Sequence, residues 1–176
     1  QYKAEADRFY RELPRRLSKF NLNLSAEKTR IIRFTKWQME KSGRFDFLGF
    51  EFSWGKDRQG KPHVKRRTSR VKLRKALSGF THWCKVSRNK RLSQLFSELN
   101  RKLTGYYNYY GLKGNSWSLR EFWKKAERIL FKWLNRRSQR VSYNWRGFRE
   151  LLKYFKAPLP RITQKDNCQL TLDFNY

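Results

Sequence analysis

Apolar side chains recur at helical spacing in five stretches of this chain. Tyr2, Ala6, Phe9, Leu13, Leu17 and Phe20 share one face, which predicts a helix over residues 2–20. Pro14 conflicts with it, since an interior proline costs about 3 kcal/mol, and a kink or break is expected there. The period then shortens. Residues 29–35 (Thr-Arg-Ile-Ile-Arg-Phe-Thr) are rich in β-branched groups and read as a strand. Phe45 to Trp54 reads as a second strand, apolar on both faces, with Gly49 marking a bulge or a close backbone approach. Residues 55–62 form a turn-rich loop, and His63 to Thr68 returns as the partner strand of a hairpin.

Beyond Thr68 the helical period returns. Leu73, Ala76, Leu77, Phe80, Trp83 and Cys84 form one stripe; Leu92, Leu95, Phe96, Leu99, Leu103, Tyr106, Tyr107 and Tyr110 form the next. Ser118 and Glu121 have the spacing of a capping box ahead of a third stripe, from Leu119 to Leu134. Phe148, Leu151, Leu152 and Phe155 make a short fourth, ended by Ala157-Pro158-Leu159-Pro160. The fold class implied is α+β. A helix-plus-hairpin piece (residues 1–67), too small to build much of a core alone, precedes a mainly α-helical bundle (68–156) and a polar tail (157–176). There is no internal repeat.

Composition narrows the partners. Lys and Arg number 43 against 14 Asp and Glu, a formal net charge of +29. Repulsion on that scale favours a polyanionic partner. No apolar run approaches the roughly 20 residues of a spanning helix, so a membrane partner is not expected. Seven Trp, nine Tyr and fourteen Phe are too many large side chains for a disordered tail. The charged start without Met is unlike a signal peptide and reads as a fragment or processed product. Cys84 and Cys168 lack zinc-ligand spacing and read as reduced thiols of a cytoplasmic protein. No metal site is expected.

The cations cluster. Lys65, Arg66, Arg67, Arg70, Lys72, Arg74 and Lys75 span the end of the hairpin and the first bundle helix. Arg120, Lys124, Lys125, Arg128, Lys132, Arg136 and Arg137 lie mostly off the third stripe, with only Glu121 and Glu127 to oppose them there. Runs of one sign on successive elements point to phosphate binding by backbone and shape. Helical spacing turns Tyr106, Tyr107 and Tyr110 inward and leaves Tyr109 free to meet a ligand.

Chemistry is sparse. There is no Asp-Asp or Asp-x-Asp pair for two-metal phosphoryl transfer, and no Walker-type loop. Asp46 and Glu51, five apart on one strand, are expected to face opposite ways. His63 and His82 stand isolated.

Five segments nonetheless carry a resemblance. Residues 22–31 (Leu-Asn-Leu-Ser-Ala-Glu-Lys-Thr-Arg-Ile) and 45–52 (Phe-Asp-Phe-Leu-Gly-Phe-Glu-Phe) resemble the last palm motifs of bacterial group II intron reverse transcriptases. Residues 103–111 (Leu-Thr-Gly-Tyr-Tyr-Asn-Tyr-Tyr-Gly), 131–140 and 143–148 resemble the thumb, or maturase X, domain of the same family. The resemblance implies the C-terminal palm and thumb of an RNA-directed DNA polymerase and maturase, with intron RNA, template and a DNA primer as partners. It implies Mg2+ for the intact enzyme. The family's Tyr-x-Asp-Asp motif and fingers have no counterpart here, so this chain alone is expected to be inactive; a separate fingers/palm portion is a further possible partner. By the same resemblance Phe47, Leu48, Gly49 and Phe50 match the primer grip. Lys28 matches a lysine near the leaving pyrophosphate, where it is a general acid or charge stabiliser if it is not simply a solvated loop cation. The basic clusters, with Tyr109 and Arg140, match the nucleic-acid surface of the thumb. Two alternatives stay open: a non-catalytic splicing factor derived from such an enzyme, and a reverse transcriptase of a bacterial defence system.

Overall fold

The computed structural model describes residues 2–37, 43–138 and 142–164. Its described residues form five helices and three strands: α1 (Tyr2–Ser18), β1 (Phe45–Phe47), β2 (Phe50–Lys56), β3 (Pro62–Thr68), α2 (Arg70–Ser87), α3 (Leu92–Tyr110), α4 (Ser116–Leu134) and α5 (Trp145–Tyr154). The strands form one sheet in the order β1-β2-β3, antiparallel because short turns join them. The chain divides into two compact units, Gln1–Phe45 with Ser53–His63, and Asp46–Phe52 with Val64–Tyr176. The tip of the hairpin therefore groups with the helices that follow it, across the boundary that residue 67 marks in the sequence.

Within the first unit, α1 runs through Pro14 without a break. Pro14 is exposed, so water can take the Tyr10 carbonyl that the missing N–H leaves unpaired. Residues 29–35 form no strand. Strand propensity needs a partner edge to act on, and this segment packs through a side chain instead. The Phe34 ring meets Phe45 edge-on with centroids 5.1 Å apart and lies 5.3 Å from Trp54. The loop after β2 turns around Asp57, whose Oδ1 accepts from the N–H groups of Gln59 and Lys61, each at 2.8 Å. Gly60, at φ 80°, supplies the left-handed residue of that turn.

The second unit holds a continuous core. Phe80 and Cys84 of α2, Leu95, Phe96, Leu99, Leu103 and Tyr107 of α3, Leu119, Phe122, Ala126, Leu130 and Leu134 of α4, and Phe148 and Leu152 of α5 are all buried. The four stripes read from the sequence are the faces that meet. Phe96 stacks on Phe155 with centroids 4.4 Å apart and planes within 8°. The capping box does not form. α4 starts two residues early, at Ser116, and Ser118 is buried inside its first turn. Glu121 pairs instead with Lys125 at 2.8 Å. The reason lies in Asn115, fully buried ahead of the helix. Its Oδ1 accepts from the Thr68 N–H, and its Nδ2 donates to the Thr68 hydroxyl and the Tyr110 carbonyl, each at 2.8 Å. The end of β3 and the end of α3 are thus tied to one side chain.

Candidate functional site

The peptide from Phe45 to Trp54 is not one strand. It reverses at Leu48-Gly49, where φ is 48° and 83°. Positive φ at both central residues is the signature of a two-residue hairpin turn. Leucine is a costly occupant of that conformation, by about 1–2 kcal/mol, so its neighbours must hold it. They do. Tyr109 Oη donates to the Leu48 carbonyl at 2.7 Å, and the Ser69 N–H donates to the Gly49 carbonyl at 2.9 Å. Phe50 stacks against Tyr109 at 6.0 Å and tilts onto Tyr110 at 5.3 Å. Asp46 and Glu51 therefore lie on adjacent strands. A two-residue turn sets them opposite each other on one face, not on opposite faces of a single strand.

Gly49 is required on two grounds. Besides its φ, a Cβ there would stand 3.0 Å from Tyr110 Oη and 3.6 Å from Lys72 Cγ. The close approach read from the sequence is real, and what approaches is the end of α3 and the start of α2. Together Asp46, Leu48, Gly49, Lys72, Tyr109 and Tyr110 line an open depression of about 460 Å³. Ser69 caps α2, its hydroxyl accepting from the Lys72 N–H at 3.4 Å.

The first turn of α2 holds Arg70 and Lys72 and no acid. Cations there oppose the positive end of the helix dipole. Arg70, Lys72, Arg74 and Lys75 are exposed, and none forms a salt bridge among the described residues. Lys65 is half-buried. Arg67 lies 5.8 Å over the Trp117 ring, and Arg66 donates to Gln164 Oε1 at 3.5 Å.

On α4, Arg120, Lys124, Arg128 and Lys132 follow one another every four residues, and Arg136 continues the series in the turn after the helix, all exposed. Neighbours at that spacing stand about 6 Å apart along the axis on one side of the helix. Each like-charged pair costs about 0.2–0.5 kcal/mol. At the C-terminal end the cations have structural work as well. Arg136 lies 5.5 Å over Trp133, with Arg88 at 5.6 Å over the same ring. Arg137 Nη2 donates to the Lys90 carbonyl at 2.7 Å, so that arginine braces the α2–α3 connection and is not a free phosphate ligand. Arg140 lies outside the described residues.

The tyrosines divide as their spacing predicts. Tyr107 is fully buried and Tyr106 and Tyr110 pack on the core, whereas Tyr109 is 52% exposed. Burial pushes the Tyr106 and Tyr107 hydroxyls above the ordinary phenol range, and Tyr110 moves the same way. Tyr109 is less free than expected, because its hydroxyl is held by Leu48. Lys28 sits exposed in the turn at residues 26–28, its side chain without a partner among the described residues.

The reading from sequence passed over Ser69 and Asn115. A serine directly before a helical stripe is the ordinary N-cap signal, and Ser69 could have been found by it. Asn115 had no such signal. Of the named candidates, Leu48, Gly49, Phe50, Lys72 and Tyr109 come together, and the α4 ladder forms a separate stripe. Among the described residues no three His, Cys, Asp or Glu side chains gather where they could hold a metal. No helix there is long and apolar enough to cross a membrane. Compared with known proteins, the chain matches no family model, no curated protein and no solved structure.

Proposed function

We propose that this chain is the C-terminal palm and thumb region of a group II intron-encoded RNA-directed DNA polymerase and maturase. In this reading it grips template–primer duplex and intron RNA through their backbone phosphates. The observation that carries the RNA-binding part is the α4 ladder. Four exposed cations at i,i+4 spacing on α4, with Arg136 just beyond it, outnumber the one carboxylate that draws on them, Glu121 beside Lys124 and Arg128, and the excess costs the free protein stability that a polyanion would return. The Leu48-Gly49 tip, which the resemblance assigns to the primer grip, supports the polymerase part: a strained turn held by Tyr109 and Ser69 offers backbone at a fixed position beside Lys72. Mg2+ has no donor set among the described residues, so no chemical step is assigned to them.

The test is binding of the chain to a structured RNA across a salt series. Log affinity should fall linearly with log salt. Replacing Arg120, Lys124, Arg128 and Lys132 with Gln should flatten that slope by about 0.7–0.9 for each phosphate no longer neutralised, with the melting temperature unchanged or slightly raised. A flat salt dependence in the wild type overturns the proposal. Sequencing of RNA copurified with the chain separates the maturase reading, in which intron RNA dominates, from a general RNA chaperone.

A further inference from the structure

Gly79 stands in the middle of α2, where glycine is among the poorest helix formers. Packing does not demand it, since a Cβ there would meet nothing within 4 Å. The space it leaves is the mouth of a cavity of about 210 Å³, whose walls are Phe80, Leu103, Tyr106, Phe122 and Lys102. Its aromatic wall is ordered. Tyr106 stacks on Phe122 with centroids 3.7 Å apart and planes within 16°, and Phe80 meets Phe122 edge-on at 6.3 Å. Its rim is cationic. Lys102 is exposed, its ammonium 5.5 Å over the Trp83 ring. Lys75, one turn before Gly79 on the same side of α2, is exposed and forms no salt bridge among the described residues.

We propose that this slot takes a single unpaired nucleobase of bound RNA, its ring against the Tyr106–Phe122 pair and its flanking phosphates on Lys75 and Lys102. The inference rests on the RNA-binding reading above and adds to it a preference for RNA with an extruded base. The volume is below the roughly 300–1,000 Å³ of ordinary small-molecule pockets and suits one planar ring system. Stacking on aromatic side chains is how unpaired bases are held, whatever their sequence. Lys102 on the slot's lining and Lys75 one turn away along α2 favour a ligand that carries negative charge on both sides of its ring. An apolar peptide side chain would gain nothing from them.

The experiment uses the whole chain and two RNA stems, one uninterrupted and one carrying a single bulged 2-aminopurine. The wild type should bind the bulged stem about tenfold more tightly and quench the 2-aminopurine fluorescence. Gly79→Leu starts from a Cβ that meets nothing within 4 Å and occupies the slot, so it should lose both the preference and the quenching while keeping the affinity and salt slope for the uninterrupted stem. As a second measurement in the wild type, 4-thiouridine at the bulge should photocrosslink to the peptide containing Tyr106. Equal binding of the two stems, a preference that survives Gly79→Leu, or crosslinks confined to other peptides overturns the slot. A Gly79→Leu chain whose sedimentation changes while its RNA preference does not would assign the slot to a second copy instead. Tight, salt-dependent binding of both stems with no bulge effect sinks only the slot; failure to bind either stem sinks the RNA-binding reading as well.

Discussion

Helix α4 buries Leu119, Phe122, Ala126, Leu130 and Leu134, each at most 3% exposed. Helix α1 is nearly as long and its apolar residues recur as regularly, yet none of its described side chains is buried, and Phe9 is 62% exposed. A stripe on a helix is an offer of surface. Stability comes only when another element takes it up. In the bundle four stripes take up one another, and the aromatic rings between them stack. In α1 the periodicity is real, and among the described residues its tertiary hydrogen bond is a weak one, from Tyr10 Oη to the Thr29 carbonyl at 3.2 Å. The proline inside α1 fits this contrast, because a helix that bears little of the core can carry a missing hydrogen bond.

The largest effect should separate the two regions outright. Phe96→Ala removes a fully buried ring from the Phe155 stack and should cost about 3–5 kcal/mol in urea unfolding. Leu13→Ala in α1 should cost about 1 kcal/mol or less. Equal losses would break the comparison.

Two glycines sharpen it next. Gly111→Ala drives a Cβ into the Tyr107 carbonyl and to within 2.5 Å of Thr163 Oγ1, which should cost about 1–3 kcal/mol. Gly60→Ala, in the loop of the first unit, meets nothing within 4 Å and should cost only the left-handed backbone penalty of about 1 kcal/mol. A smaller effect distinguishes two arginines. Arg137→Ala, which frees the Lys90 carbonyl, should cost about 1 kcal/mol in thermal melts. Arg15→Ala, which breaks an exposed pair with Glu12 at 3.7 Å, should leave the melting temperature within error.

The smallest is a gauge of bundle integrity. Burial pushes the Cys84 thiol up to about 12, against a weaker lowering by Lys102. In a Cys168→Ser background a thiol reagent should leave Cys84 unmodified at pH 8 and modify it once urea opens the bundle. The unfolded thiol ionises near pH 9 and the folded one near 12, so the unfolded state holds fewer protons between those values. The contribution of Cys84 is therefore complete below about pH 9 and is lost as pH rises toward 12. Fast labelling of the folded chain would show a core looser than the buried side chains imply. Glu98 offers an opposite case. Hydrogen bonds from Lys90, at 2.6 Å, and from Trp83 hold its carboxyl below the usual range, so that pairing weakens on acidification.

The bundle was legible because its signals are local and repeated. Leu95, Leu99, Leu103 and Tyr107 return every four residues, and only the core can use that face. The absence of a strand at residues 29–35 was not legible. Residues 29–35 have the composition of a strand, but pairing is a property of two segments, and composition describes one. Phe45 to Trp54 was misread for a related reason: Leu48-Gly49 lacks the usual asparagine or aspartate at its first position, so the turn is hidden in an apolar run. The Arg137 bond to Lys90 joins residues 47 apart, beyond any spacing rule.

By itself, the order of residues determined the charge excess, the four interlocking stripes, the inward tyrosines and the cation ladder, since each follows from identity and helical period alone. Only the tertiary structure decided that Gly49 lies against Tyr110 and Lys72, that Asn115 displaces the expected cap, and that an open slot sits beside Gly79. Those features depend on distances between elements. Distances of that kind are set by how whole faces pack, which no single segment encodes.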